Sequence, residues 1–263
     1  MLIQRLATAL ILAPLFVWAV LVLETEQLQY LLLAITLLAA WEFAGLIKLE
    51  QTLQKLLILS WVLFCVWLLS GYSALVLQVA VLWWLLNLYW VLNYPKHTEL
   101  WFGSAIARLF TAPMLLVPML LALISLHQNH GSGYFLLLML LIWAADSGAY
   151  FVGKTFGKRK LAPKVSPGKS IEGVIGGIGF ALVVMLVFLQ YQQIPLTHYM
   201  GYLLLTVLTV GVSVLGDLFE SLYKRVSGMK DSSNILPGHG GVLDRIDSLT
   251  AAAPVFVVGL SLL

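Results

Sequence analysis

Asp217 and Glu220 stand three residues apart in "GDLFES", and Asp244 and Asp247 repeat that interval in "VLDRIDS". On a helix, an interval of three or four puts side chains on one face, so each pair offers carboxylates side by side, with Ser221 joining Asp217 at the interval of four. Paired hard oxygen ligands of this kind suit magnesium. Around them lie Lys224, Arg225, Lys230, Asp231 and Arg245, and the run "LPGHGG" adds His239 with Gly238, Gly240 and Gly241. Cations grip phosphate oxygens, carboxylates hold a metal, and glycines let backbone amides approach a polyanion. Together these are the parts of phosphoryl or nucleotidyl transfer. A polybasic patch that only anchored a membrane would have no use for so many acids. His239 could move protons, or hydrogen-bond a phosphate or a helix end; it is placed with the substrate-binding residues.

A second polar stretch, "SPGKSIEG", sets Ser166, Lys169 and Ser170 just ahead of a helix, whose first amides carry partial positive charge and seat phosphate well. It lacks the spacing of a Walker A loop. The glycines that follow (Gly173, Gly176, Gly177, Gly179) suit close helix packing, and Lys158 to Lys160 suit a topology signal or an anionic-lipid contact. Two further acids interrupt apolar runs: Glu42 in "AAWEFAG" and Asp146 in "LIWAADSGAYF". A carboxylate at mid-membrane costs about 2.5–3.5 kcal/mol, so each is expected to face a partner, an ion or a water-filled cavity. For Glu42 two readings stay open, a functional acid or a carboxylate held by a backbone, tryptophan or lysine donor. Asp146 and Glu220 are the weaker metal-ligand candidates beside Asp217, Asp244 and Asp247.

The elements that position these residues must be membrane helices. With 61% hydrophobic and 10% charged residues in a chain of 263 and a mean hydropathy of +0.96, polar side chains are too few to cover a water-soluble globule. Apolar runs at 6–23, 28–47, 56–70, 74–92, 107–126, 134–152, 173–190, 198–216 and 249–263 predict an all-α, polytopic protein of about nine transmembrane helices. Their length without period-two alternation excludes a barrel. In this arrangement all 15 Lys and Arg fall on one side, from Arg5 to Arg245, which predicts a cytoplasmic N-terminus and an outside C-terminus. The first run is too long for a signal peptide and is expected to stay as an anchor. Glu42, Asp146 and Asp217 then share one depth, at the cytoplasmic ends of their helices. Residues 1–130 are expected to be an N-terminal scaffold of five spans, and 131–263 the catalytic region, with cytoplasmic inserts at 153–172 and 217–248. Cys65, the one cysteine, excludes an intramolecular disulfide. His127 and His130 are expected to be incidental, and Trp83, Trp84, Tyr89 and Trp90 to face lipid or its interface.

The run Ser221, Lys224-Arg225, Lys230-Asp231, Pro237, His239-Gly240-Gly241, Asp244-Arg245 and Asp247 resembles the signature of the membrane phosphatidate cytidylyltransferases, or CDP-diacylglycerol synthases. "GDLFES" and "SPGKSIEG" are also similar to elements of that family, so the likeness spans most of the C-terminal half; Tyr223 departs from it, standing where the family usually has a smaller apolar residue. The resemblance implies condensation of CTP with phosphatidate to CDP-diacylglycerol and pyrophosphate, with one or two magnesium ions. It implies catalytic roles for Asp217, Lys224, Arg225, Asp244, Arg245 and Asp247, and substrate contacts from Ser166, Lys169, Ser170, Lys230, His239, Gly240 and Gly241. Membrane lipids and a second copy in a homodimer are the expected partners, with no nucleic acid, in a bacterial inner membrane with the site facing the cytoplasm. The competing readings are a secondary transporter using Glu42 and Asp146, which would place its acids near mid-membrane and show paired repeats, and a related cytidylyl- or phosphotransferase acting on another lipid phosphate.

Overall fold

The computed structural model describes residues 2–96 and 98–263, with side chains from residue 10 onward; the cation at Arg5 lies outside those described side chains. The chain runs through α1 (Leu2–Val22), α2 (Thr25–Leu46), α3 (Thr52–Leu69), a 3-10 turn (Ser70–Tyr72), α4 (Ser73–Asn93), a π-helical turn (Glu99–Gly103), α5 (Ala105–Phe156), strands β1 (Lys160–Ala162) and β2 (Ser166–Ser170), α6 (Ile171–Tyr191), α7 (Leu196–Ser227) and α8 (Leu243–Leu260). By length and composition, five stretches can cross a membrane: 25–46, 52–93, 105–156, 171–191 and 196–227.

Two of those stretches, 52–93 and 105–156, are long enough for two crossings. At 1.5 Å per residue an unbroken α5 would be about 78 Å long, more than twice a hydrocarbon core. It is broken instead at Gly131, whose φ of 79° and ψ of 177° interrupt the helix. The contacts on either side show a reversal. Arg108 bonds the Ile47 carbonyl and Thr111 the Tyr223 hydroxyl at one end of the bundle. His127 bonds Thr25 and Val20 at the other, and Gly153 returns to Ser170. His127, expected to be incidental, pins α5 to the α1–α2 turn.

Close packing follows from small residues. A Cβ on Gly177 would sit 2.6 Å from the Ala145 carbonyl, and one on Gly173 3.0 Å from that of Ala149, so α6 lies directly on the second half of α5; Gly179 has open space around it. The core is carried by α5, α7 and α8, where Leu249 to Pro254 are buried in succession. In contrast α3 and α4 expose Trp67, Leu82 and Leu92, an outer surface suited to lipid. Of the aromatics expected on that surface, Trp84 is instead buried, packed edge-on to Phe219.

The insert expected as loop at 153–172 contains a short antiparallel hairpin, with Lys160 opposite Ser170 and Ala162 opposite Ser166. Val165 anchors its turn by burial. Glu172 fastens its base, accepting from the amides of Lys158 and Arg159 at 3.1 Å each and from Arg159 Nε at 2.9 Å. This hairpin is the one sheet among the described residues.

Candidate functional site

Helix α7 runs past its expected end at 216 to Ser227, and Gly228 stops it with a φ of 75°. α8 starts at Leu243, ahead of the expected 249, so both acid pairs do lie on helices, at the same end of the bundle. Glycine permits the close fit between them: a Cβ on Gly216 would strike the Asp247 carbonyl.

Lys224 is the centre of the first cluster. Its ammonium lies 2.8 Å from Asp244 Oδ1 and 3.5 Å from Glu220 Oε1. Asp244 Oδ2 in turn accepts from the Ser232 amide at 2.9 Å, the Ser232 hydroxyl at 2.9 Å and the Gly241 amide at 2.7 Å. Gly240 adopts a φ of 81° beside that carboxylate, and its carbonyl accepts from the Leu236 amide at 2.9 Å. The His239 amide closes the same turn on the Leu236 carbonyl at 2.9 Å, while its buried Nδ1 has no protein partner. Glu42 reaches this insert from α2, accepting from the Ser233 hydroxyl and the Leu243 amide.

The second cluster faces a cavity of about 340 Å³ between α5, α6 and α7, lined by Asp146, Lys154, Lys169, Ser170 and Asp217 and by the apolar Val174, Val210 and Val214. Lys169 Nζ lies 2.5 Å from Asp217 Oδ2, and Ser221 donates to Asp217 Oδ1 at 3.2 Å. Asp146 lines this cavity together with Lys169 and Asp217. Ser170 caps α6, accepting from the Gly173 amide at 3.1 Å, the helix start that its position predicts. Ser166 sits in β2.

Asp247 lies one helical turn beyond Asp244 on α8 and accepts from the Ser248 amide at 2.6 Å. Arg225 Nε donates to the Val165 carbonyl at 3.0 Å, which ties the hairpin to α7 and leaves the two terminal guanidinium nitrogens for the phosphate contact expected of it. Lys230 and Arg245 stand exposed.

The five carboxylates named for a metal do not close into a cage: among the described residues no three acid, histidine or cysteine side chains converge on one point. Asp244 is engaged by Lys224 and by three protein donors. The donor chemistry nevertheless fits magnesium, which is usually held by one or two carboxylates and completed by substrate phosphates and water. Glu220 offers both oxygens, buried and without a hydrogen-bond partner, on the helix face it shares with Asp217.

Sequence reasoning missed Ser232 and Ser233, which carry much of the wiring of the insert. Their signal was the polar run "KDSSN" beside the acid pairs, where short hydroxyl side chains bridge carboxylates and turn amides.

The model of the cytidylyltransferase family matches residues 3–263. The phosphatidate cytidylyltransferase of Haemophilus influenzae is 42% identical over 97% of both chains, and that of Pseudomonas aeruginosa 45% identical over 97% of this chain and 96% of its own. The Bacillus subtilis enzyme of the same name is 48% identical over 51% of this chain and 50% of its own. The sequence signature, the acid and lysine clusters at one end of the helices and this end-to-end likeness lead to one statement: the chain belongs to the cytidylyltransferase family.

Proposed function

We propose that the chain condenses CTP with phosphatidate, giving CDP-diacylglycerol and pyrophosphate. The observation that carries this is the identity along almost the whole length with two phosphatidate cytidylyltransferases. The geometry supports it. Phosphatidate presents a phosphomonoester of about −1.5 to −2 charge that must attack the α-phosphorus of a still more anionic triphosphate. The cavity beside Asp217 combines cations (Lys154, Lys169) with apolar walls (Val174, Val210, Val214), which suits a molecule with a charged head and an oily tail. The lipid phosphate oxygen forms the new P–O bond while the bond to the departing pyrophosphate breaks, so no protein nucleophile is required. Lys169, Lys224 and Arg245 neutralise phosphate oxygens and align the attack. Asp217, Asp244 and Asp247, with Asp146 and Glu220 beside them, are the carboxylates of which one or two would hold magnesium, substrate phosphates and water completing its shell; the metal would screen the two polyanions and stabilise charge on the leaving group.

The reading extends to the whole chain. Nine crossings, with the break at Gly131 as an outside turn and both polar inserts in the cytoplasm, give a site open to cytosolic CTP and to lipid at once, in a bacterial inner membrane. Residues 1–130 form the scaffold and 131–263 the catalytic region, and two copies associate. A transporter reading loses ground because the polar groups gather at one end of the bundle instead of at mid-membrane.

Purified protein given labelled CTP, magnesium and phosphatidate is expected to yield a lipid-soluble nucleotide and pyrophosphate in equal amounts, and none after chelation with EDTA. Product from a polyisoprenyl phosphate in place of phosphatidate, with none from phosphatidate itself, would overturn the substrate assignment.

A further inference from the structure

Glu42 belongs to the N-terminal helices, yet its side chain ends inside the last insert. Oε1 accepts from the Ser233 hydroxyl at 2.6 Å and the Val242 amide at 3.0 Å. Oε2 accepts from the Leu243 amide at 2.7 Å and the Ser232 hydroxyl at 3.1 Å. The residue is 2% exposed, so its oxygens are satisfied by these protein donors, the one Ser232 hydroxyl proton being shared with Asp244, and not by water.

Two features make this more than a satisfied core acid. First, Val242 and Leu243 supply leading amides of α8, which otherwise begins without a side-chain cap. Such amides have no partner within their own helix, and a carboxylate also complements the positive end of the dipole. Glu42 therefore fixes where α8 starts and which way its first turn, bearing Asp244, Arg245 and Asp247, is aimed. Second, the Ser232 hydroxyl lies against Glu42 Oε2 and also, at 2.9 Å, against Asp244 Oδ2, and Asp244 holds Lys224. A continuous chain of contacts thus runs from α2 to the lysine at the centre of the site. Gly241 is part of the same fit, since a Cβ there would come 2.7 Å from the Glu42 carboxyl carbon.

We infer that Glu42 is a positioning residue for the transfer reaction: it touches no substrate, and it holds Asp244 and Lys224 in register by capping α8 and sharing Ser232. The inference rests on the proposed cytidylyl transfer for its kinetic readout, but the latch itself can be read without turnover.

Glu42→Gln keeps the size of the side chain and replaces one acceptor oxygen with a donor that must face two donors. Misplacement of reacting groups by a fraction of an ångström to one ångström lowers turnover by roughly 10- to 100-fold. The expected result is a loss of that order in kcat, measured on monodisperse folded protein, with KM for CTP and phosphatidate within about threefold of the parent. In a Ser232→Ala background, where the bridge to Asp244 is already cut, the same substitution is expected to cost less than its loss in the parent. Amide hydrogen exchange at residues 232–243 is expected to quicken in Glu42→Gln and, more mildly, in Ser233→Ala. A kcat within twofold of the parent, or losses that multiply in the double variant, would overturn the positioning role. If the parent protein makes no lipid nucleotide, the reaction assignment fails, and unchanged exchange at 232–243 in Glu42→Gln would then remove the latch as well.

Discussion

Lys224 carries the heaviest load of any single side chain in the site. Its ammonium neutralises Asp244, 2.8 Å away, and also lies 3.5 Å from Glu220, whose oxygens have no hydrogen-bond donor. Removing the cation leaves both acids buried at 9% and 4% exposure without a counter-charge, a change that typically costs roughly 3–5 kcal/mol. Lys224→Met is therefore expected to lower the melting temperature of the detergent-purified protein as well as to abolish turnover, whereas a phosphate contact alone would affect only turnover. An unaltered melting curve would mean that these acids draw on another cation. Tyr223, the residue that departs from the family signature, is explained by its surroundings. Its ring is packed among Phe43, Trp101, Phe102 and Phe219, and its hydroxyl meets Thr111 at 3.1 Å, so the larger side chain fills a core and leaves the neighbouring Lys224 free to face the acids.

At the scale of elements, the α5–α6 contact tests how the cavity is built. Gly177→Ala must push its methyl against the Ala145 carbonyl, while Gly179→Ala meets nothing within 4 Å. The first is expected to cost about 1–3 kcal/mol through overpacking and to reduce turnover, because Asp146 lies next to the displaced turn; the second is expected to match the parent in both melting and activity assays. That α6 would pack through its glycines was legible in the sequence, and so were the helical intervals of the two acid pairs, because period and small-residue spacing are local properties. The hairpin at 160–170 was not legible. It depends on Val165 finding a buried seat and on Arg225 reaching its carbonyl from sixty residues away, and neither contact leaves a mark on the local pattern. For the same reason the tie from Arg225 to the hairpin and the partners of Glu42 are invisible in the sequence, since both depend on distant segments folding against one another.

At the scale of the molecule, both inserts and the α2 carboxylate meet at one end of the bundle, while the Gly131 break and the His127 contacts mark the other. If the inserts face the cytoplasm, single cysteines at position 163 in the hairpin turn and at position 129 beside the break, in a Cys65→Ser background, should be labelled from opposite sides of sealed membrane vesicles by an impermeant maleimide. Labelling of both from one side would overturn the orientation. The reach of Glu42 also bears on biosynthesis. Its partners, Ser232 and Ser233, lie 190 and 191 residues further along the chain, so at ordinary translation speeds of about 5–20 residues per second they leave the ribosome roughly 10–40 s after α2 does. For that interval the carboxylate cannot rest in hydrocarbon without its donors, and the nascent α2 must ride high enough at the bilayer edge to keep the acid hydrated until the end of the polypeptide arrives to claim it.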